Sequence, residues 1–436
     1  RIRPDRVEGS ARAFIRLKIN GVIYIGFSWI IILLLRRVGF FRLHTSVVSP
    51  CGMRASGRVL VFTTVWCTIL VICLILYAHS SNEGGGSDDT RRGADEQKGV
   101  AEKTDIFFLK THKCASSTVQ NILMRFGYRR HLDFVLPLKA NYLGHPAQFD
   151  RDMIPPQLTS LNHTYNIFTH HSRYNYEEVK AVMKENTTFV TILSPADLFE
   201  SMYQFCRLEG ITNMTLQKFI KTPKMWNYLA VRSPSRKIGT NQMSFDLGLD
   251  VAGFVDGKRI DYVDDFIHKI ETEFDLVMIT EYMEASLVLL SKLMEWPLEY
   301  VASFKVNSRQ YFRKIQLSVV EHDTLMKTNF IDARVYNHFL KKFQSRIADF
   351  GVNEMKAEVR KLIDLNSKLW TNCIDKPNVK GYGRTLSYDL RNLQDFECFY
   401  SAKDELSFTE EIRNDQIKRF STLRKLDSLM SDYVEA

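Results

Sequence analysis

The chain has 436 residues, of which 45% are hydrophobic and 25% charged, as in folded globular proteins. This length leaves room for one large or two ordinary domains. Residues 1–52 carry nine Lys/Arg against two Asp/Glu, so they hold +7 of the net charge of +9 and leave +2 for the rest. A nearly neutral folded part argues against a nucleic-acid partner. The seven cysteines form no C-x-x-C pair, so the sequence predicts no metal site.

Residues 59–78, VLVFTTVWCTILVICLILYA, are twenty residues without a charge, which is enough to cross a bilayer as one helix. Basic residues precede this run and acidic residues follow it. The positive-inside rule therefore predicts a cytoplasmic tail over 1–58, a single-pass type II signal anchor over 59–78 and a luminal C-terminal part. A buried core helix is the alternative, and the length of the run disfavours a cleaved signal peptide.

The first 52 residues are unusual, because the sequence starts with Arg1 and contains a second, shorter apolar run over 22–35. Met53 lies a few residues before the predicted anchor, with a short basic stretch between them. We hypothesise that Met53 is the biological start and that residues 1–52 are not part of the mature protein. A second membrane segment is the alternative, and N-terminal sequencing of native material distinguishes the two.

A polar stretch over 79–104, with a Gly/Ser-rich start and then mixed charge, predicts a flexible stem. Three N-x-[ST] sequons follow at Asn162, Asn186 and Asn213. In a segment already placed in the lumen, these asparagines are predicted glycosylation sites.

The stretch from residue 106 to 127 carries the clearest functional signal. Four apolar residues, Ile106–Leu109, predict a short buried strand. A loop of cations, a histidine and hydroxyls follows. Apolar residues at helical spacing then predict a helix that Ser116 or Ser117 caps and that ends at Gly127.

A strand, a loop and a helix start form the geometry that holds phosphate-like anions, because the backbone N–H groups and the helix dipole favour negative charge. Lys110 and Lys113 add full positive charges. The loop has no glycine and is not a Walker A motif. An ordinary turn with two solvated lysines is the alternative interpretation.

Further strands are predicted over 165–169, 189–193 and 275–280, with helices over 198–205 and 285–296 between and after them. Strands that alternate with helices predict an α/β fold, a P-loop-like parallel sheet flanked by helices. Ligands bind beyond the carboxyl ends of such strands. We therefore expect the opening loop, His171 and residues 194–201 to share one edge of the sheet.

The main luminal domain is predicted over 105–375, and its last part from Phe330 onward is helical. Residues 376–436 are polar and charged, and they are predicted to form a helical extension that either wraps the domain or is partly disordered. Cys373 and Cys398 are the closest pair in sequence beyond the anchor, so in an oxidising lumen they are the candidate disulfide.

Several ordered blocks resemble the galactose-3-O-sulfotransferase family. The loop Lys110–Thr118 (KTHKCASST) is similar to the family's KTHKTASST and differs only at Cys114. Further similar blocks, over roughly 105–375, are NIFTHHSRY at 166–174, LFES at 198–201, FDLG at 245–248, EYMEASLVLL at 281–290 and KVNSR at 305–309.

The resemblance implies a Golgi membrane enzyme that transfers a sulfuryl group from 3′-phosphoadenosine-5′-phosphosulfate (PAPS), without a metal, to the 3-hydroxyl of a terminal β-galactose on a glycolipid or glycoprotein. The residues implied to bind the donor are Lys110, Thr111, Lys113, Ser116, Ser117, Thr118 and Ser201. Lys113 is expected to stabilise the leaving oxygen. His112 or His171 is expected to be the general base, since imidazole titrates near working pH. The family favours His112 and places His171, with Arg173, near the acceptor.

One segment departs from the family. Ahead of LFES the family reads L-R-[DE]-P, whereas this chain has Leu193-Ser194-Pro195-Ala-Asp197. The missing arginine is a bidentate contact to the 3′-phosphate of the donor, and Arg207, two helical turns beyond Ser201, is a candidate substitute. The sequence thus leaves three possibilities: an active enzyme with a rearranged phosphate site, a catalytically impaired luminal glycan-binding relative, or a sequence error. A nucleotide kinase is disfavoured, because no Walker lysine context or magnesium carboxylate is found.

Overall fold

The computed structural model describes residues 101–195, 198–222, 225, 238–251, 260–305, 315–380 and 385–435. These residues belong to one compact unit. The predicted tail, anchor and most of the stem lie outside the described residues and stay predictions. Across the described ranges, no helix combines the length and the apolar composition that a membrane crossing requires.

The elements follow one another in a strand–helix alternation up to residue 293 and are mostly helical after it. The strands are β1 Ile106–Leu109, β2 Phe134–Val135, β3 Ile167–Phe168, β4 Thr188–Leu193, β5 Leu276–Ile279, β6 Ile374–Lys380 and β7 Thr385–Leu390. The helices are α1 Ser116–Arg129, α2 Tyr176–Val182, α3 Leu198–Phe205, α4 Leu208–Thr212, α5 Leu216–Ile220, α6 Gln242–Asp246, α7 Ile260–Glu273, α8 Met283–Leu293, α9 Val319–Thr328, α10 Phe330–Phe350, α11 Val352–Cys373, α12 Phe396–Ala402 and α13 Glu405–Glu435, with short 3₁₀ turns at Arg151–Met153, Pro156–Leu158, Thr280–Tyr282 and Leu298–Val301.

The first five strands form one parallel sheet in the order β2-β3-β1-β4-β5. The four residues of β1 and the six of β4 are all buried, as expected for strands covered on both faces by helices. The predicted α/β class with a parallel sheet is therefore confirmed. The predicted strands at 165–169 and 275–280 are shorter in the structure, and β2 was not expected, because two residues give no readable period.

Helix α1 corrects two expectations. It begins at Ser116, and its N-cap is Ala115, which makes no side-chain cap, so neither Ser116 nor Ser117 caps it. It continues past Gly127 to Arg129. A Cβ at Gly127 would lie 2.4 Å from Ile167 and 2.5 Å from Phe134. This glycine therefore serves close helix–sheet packing and does not end the helix.

The C-terminal part wraps the domain, which is one of the two expected possibilities. Strands β6 and β7 pair as an antiparallel hairpin, so the expectation that the extension is helical is wrong for residues 376–380 and 385–390. The predicted disulfide between Cys373 and Cys398 is present and links the end of α11 to α12. Helix α13 lies along β2, where the side-chain amide of Gln416 accepts from the N–H of Phe134 and donates to its carbonyl, both at 2.8 Å.

Candidate active site

The loop between β1 and α1 is fixed by its own hydroxyl groups. Thr111 Oγ1 donates to the carbonyl of Ile192 on β4 at 2.5 Å, and Ser116 Oγ donates to the carbonyl of Thr111 at 2.8 Å. Lys113 and Ala115 have left-handed φ angles of 61° and 54°. Left-handed backbone next to ordinary residues turns successive N–H groups to one side, and such concavities bind anions. The first N–H groups of α1, which have no acceptor within the helix, add to this capacity.

The two lysines of the loop have different surroundings. Lys110 is buried, and its Nζ lies 2.5 Å from a carboxylate oxygen of Glu405 at the start of α13. Burial lowers the pKa of Lys110, although the Glu405 carboxylate acts in the opposite direction. Lys113 Nζ lies 3.8 Å from the ring centroid of Phe205 at the end of α3. Phe205 and Ser201 both belong to α3. Lys113 therefore lies against the helix that carries the predicted donor residue Ser201.

His112 and His171 meet at the carboxyl edge of the sheet, as expected. Their rings are stacked with centroids 4.3 Å apart and planes 20° apart. His171 Nδ1 lies 3.0 Å from the carbonyl oxygen of Lys110. Because a carbonyl only accepts, Nδ1 carries the proton and Nε2 has the lone pair. Burial, followed by the Lys110 cation, holds the pKa of His171 well below its usual range, so this ring is neutral.

Three residues that the sequence analysis did not select complete what we call the histidine cluster: His112, Tyr142, His145, His171 and Asp246. His112 uses both its backbone N–H and its Nδ1 to bond Asp246 Oδ2, each at 2.8 Å, and its Nε2 lies 3.0 Å from the Tyr142 hydroxyl. His145 Nε2 is 3.5 Å from Asp246 Oδ1. A chain segment that runs parallel to residues 171–173 brings Tyr142 and His145 here.

Asp246 is fully buried, and its charge is set by its neighbours. Burial acts to raise the pKa of this carboxyl, but His112 and His145 outweigh it and hold the pKa below the usual range. Burial and the Asp246 charge both raise the pKa of Tyr142, so its hydroxyl keeps its proton. The cluster therefore combines an ionised carboxylate with a phenol donor, one on each nitrogen of His112.

The other predicted site residues lie in two places. Ser117 and Thr118 are in the first turn of α1, and Ser201 is half-buried on α3. Arg173 donates to the carbonyls of Phe245, Gly248 and Leu249 at 3.1–3.3 Å, and its guanidinium stacks 4.2 Å from the Phe245 ring. The structure thus gives Arg173 a role in holding the turn that follows Asp246, and its contact with the acceptor stays a prediction.

The departure from the family pattern lies at the end of β4. We call residues 193–207, of which 196 and 197 are outside the described residues, the donor segment. Ser194 is buried, and its backbone N–H points to the sulfur of Met243 at 3.4 Å. Arg207 is exposed, with a left-handed φ of 52°, between α3 and α4. The structure places no arginine at the position that the family pattern assigns to one.

Two further expectations concern surface and metal. Asn162, Asn186 and Asn213 are all exposed, as glycosylation requires, and their modification stays a prediction. Ligand atoms of His112, His145 and Asp246 lie within 4.8 Å of one another, a spacing that also fits a metal ion. No sequence motif predicts this group, since its members are far apart in the chain.

The fold and the residues at its sheet edge can be compared with known proteins. The family profile described as galactose-3-O-sulfotransferase matches residues 52–395. The chain belongs to this family. Galactosylceramide sulfotransferase from Bos taurus is 35% identical over 286 residues, which are 64% of this chain and 66% of the relative. Galactose-3-O-sulfotransferase 2 from Mus musculus is 31% identical over 300 residues, 67% of this chain and 75% of the relative. This sulfotransferase-family chain thus spans just under two thirds of the bovine relative's length.

Four site residues were not predicted from the sequence, and they differ in whether the family pattern includes them. Asp246 lies within the FDLG block, so the resemblance marked it without giving it a role. Tyr142 and His145 lie outside the blocks that resemble the family. Glu405 lies beyond residue 395, where the family match ends, so only the three-dimensional structure connects it with Lys110.

Proposed function

We propose that this chain transfers the sulfuryl group of PAPS to the 3-hydroxyl of a terminal β-galactose on a glycolipid or glycoprotein glycan. The observation that carries the proposal is the stacked His112–His171 pair beside an anion-binding helix start, in a chain of this family. The predicted type II anchor would hold the site in the Golgi lumen, where such acceptors are displayed. The relatives' names, which include galactosylceramide sulfotransferase, support the acceptor class.

The donor phosphate fits the start of α1. First-turn N–H groups and the hydroxyls of Ser117 and Thr118 are suited to the 5′-phosphate, and Lys113 to the bridging oxygen. The side chains of three other residues predicted to bind the donor already have partners in the protein: Lys110 pairs with Glu405, Thr111 donates to a carbonyl of β4, and Ser116 donates to a loop carbonyl. We infer that these three shape the loop, and that donor contact from them is through the backbone or the hydroxyl lone pairs. Ser201 remains the candidate for the 3′-phosphate.

The transfer itself needs one base and one cation. The galactose 3-OH takes the place of the Tyr142 hydroxyl at His112 Nε2 and gives its proton to this nitrogen while its oxygen attacks sulfur in line. The bond between sulfur and the bridging oxygen breaks, and Lys113 stabilises the negative charge that the leaving phosphate receives. The imidazolium then returns the proton to solvent. Burial and Lys110 disfavour the charged form of His171, so we assign it the role of orienting the acceptor.

A second candidate function is that of a catalytically impaired glycan-binding relative. The observation that favours it is the donor segment, where Ser194 replaces the guanidinium expected for the 3′-phosphate. Losing a charge-assisted contact weakens binding by roughly 1.5–3 kcal/mol. The complete histidine cluster argues for retained chemistry, because a buried aspartate and three buried histidines are costly to keep without a role.

The direct test uses the full-length chain in detergent, with PAPS labelled in the sulfate group and a panel of β-galactosides, including a galactosyl lipid. We expect labelled product with the free 3-OH and none with the 3-O-methyl galactoside. Calorimetry with adenosine 3′,5′-bisphosphate measures donor-site binding separately. Nucleotide binding without transfer supports the impaired relative, and absence of binding at millimolar nucleotide excludes the enzyme.

A further inference from the structure

The FDLG block at 245–248 contains a buried carboxylate that bonds the proposed general base, His112. Its aspartate, Asp246, is the last residue of α6 and is fully buried. A buried carboxylate is stable only when donors surround it. Here the donors are the His112 N–H and Nδ1 on Oδ2, and Gln242 Nε2 on Oδ1, each at 2.8 Å. Two of these three bonds come from a single residue, His112.

These bonds fix the protonation pattern of the His112 ring. An ionised carboxylate only accepts, so Nδ1 of His112 carries the ring proton and Nε2 has the lone pair. The Tyr142 hydroxyl, 3.0 Å from Nε2, then donates to it. The nitrogen that the proposed reaction needs as a base is thus the one left basic by Asp246. The bond from the His112 backbone N–H to the same oxygen prevents the ring from turning away.

Asp246 is itself held more firmly than a loop carboxylate. Asp332 of α10 accepts from the N–H groups of Met243 and Ser244, at 3.0 and 2.8 Å, and from the Ser244 hydroxyl at 2.6 Å. These bonds satisfy the start of α6. After the helix, Gly248 has φ +98°, and a Cβ there would meet the Tyr174 carbonyl at 2.6 Å. Both ends of the short helix are therefore fixed, as expected for a residue that must hold another in place.

The same three residues, His112, His145 and Asp246, have the spacing of a metal site, and the hydrogen bonds argue against that occupant. Both oxygens of Asp246 already accept N–H bonds, from Gln242 on one and from the His112 backbone on the other. His112 Nδ1 also bonds Oδ2 at 2.8 Å, so this nitrogen is directed at the carboxylate and not at a metal ion. A carboxylate that orients a histidine explains all of these contacts.

We propose that Asp246 is the positioning residue of the general base: it fixes His112 in the Nδ1–H form and stabilises the imidazolium that forms when Nε2 takes the acceptor proton. The catalytic half of this inference rests on the proposed function. The half that concerns the ring's protonation pattern does not, because it is a property of the resting protein.

The first experiment is nitrogen-15 NMR of the full-length chain with labelled histidine, and the His112→Gln variant assigns the resonance. We expect wild-type His112 to be protonated at Nδ1, and Asp246→Asn to move the proton to Nε2 or to a mixture, since an amide NH₂ can donate to Nδ1. Asp332→Asn is the matched control: it removes a buried carboxylate of α10 that bonds the start of α6 and does not contact His112, so the tautomer should be unchanged. A wild-type ring protonated at Nε2 overturns the proposal, and so does a resonance that shifts when EDTA removes bound metal.

The second experiment is steady-state kinetics of the same variants. We expect Asp246→Asn to lower kcat by about 100-fold or more, with the KM for PAPS within about threefold of wild type. Asp332→Asn should lower thermal stability with a much smaller change in kcat. Equal losses of kcat in the two variants would show that Asp246 has only a structural role. If the wild type transfers no sulfate, the proposed function fails, and the NMR result still decides whether Asp246 orients His112.

Discussion

The histidine cluster and the donor segment lie at the same edge of one sheet and are built in different ways. In the cluster, both nitrogens of His112 and the Nδ1 of His171 have partners that the chain itself supplies. In the donor segment, Ser194 is buried against Met243 and Arg207 is exposed between α3 and α4. Under the proposed function, this difference means that proton transfer is preorganised by buried bonds, whereas recognition of the donor's phosphates would depend on fewer fixed charges.

The largest effect is expected from the cluster. His112→Gln removes the proposed base, so turnover should fall by on the order of 10³-fold, within the range found for general bases. The donor segment is untouched, so the affinity for adenosine 3′,5′-bisphosphate in calorimetry should stay within about twofold of wild type. Full activity in this variant would remove His112 from the mechanism and break the comparison.

A second test concerns the buried ion pair between Lys110 and Glu405. Glu405→Gln leaves Lys110 buried without its carboxylate, and breaking such a pair costs about 3 kcal/mol of unfolding free energy. The double variant Lys110→Met with Glu405→Gln removes both charges and should recover most of that loss. Urea unfolding measures the free energy of unfolding of both variants. Equal values for the single and the double variant would show that leaving Lys110 without its carboxylate has no cost.

The donor segment can be tested by restoring what the family pattern has. Ser194→Arg should tighten adenosine 3′,5′-bisphosphate binding by roughly tenfold, since a charge-assisted phosphate contact contributes about 1.5 kcal/mol or more. Ser194→Gln is the control of similar length without charge. No gain over the control, in a variant that melts like wild type, places the 3′-phosphate away from the end of β4.

A last test concerns acid stability beside the cluster. Burial lowers the pKa of His170 from 6.5 to about 3, and its Nε2 bonds the Thr409 hydroxyl of α13. The folded state therefore binds fewer protons than the unfolded chain. The stability from this group is present above pH 6.5 and is lost as pH falls toward about 3, by up to about 1.4 kcal/mol per pH unit.

Replacing His170 by Gln should flatten that acid slope by about one proton. Urea midpoints between pH 7.5 and 4.5 give the measurement. An unchanged slope would mean that other groups, such as the neighbouring His171, account for the acid sensitivity.

Much of the site could be predicted where the signal is local. The strand, the loop and the start of α1 are contiguous, and His171 follows a strand of the same sheet, so the rule for parallel sheets brought it to His112. Asp246 and Tyr142 could not be placed, because their positions depend on tertiary packing of short segments. Gly127 was misread for a related reason: sequence alone does not distinguish a helix-ending glycine from one that makes room for a neighbouring strand.

Helix α13 shows that the folded domain extends beyond the last residue that the family profile matches. The family match ends at residue 395, yet Gln416 occupies both backbone groups of Phe134 on the outer strand β2. Exposed outer strands pair with other chains and promote aggregation. A version of the protein shortened to the matched range would therefore present a free sheet edge and lose solubility, so the unit that folds extends at least to Gln416.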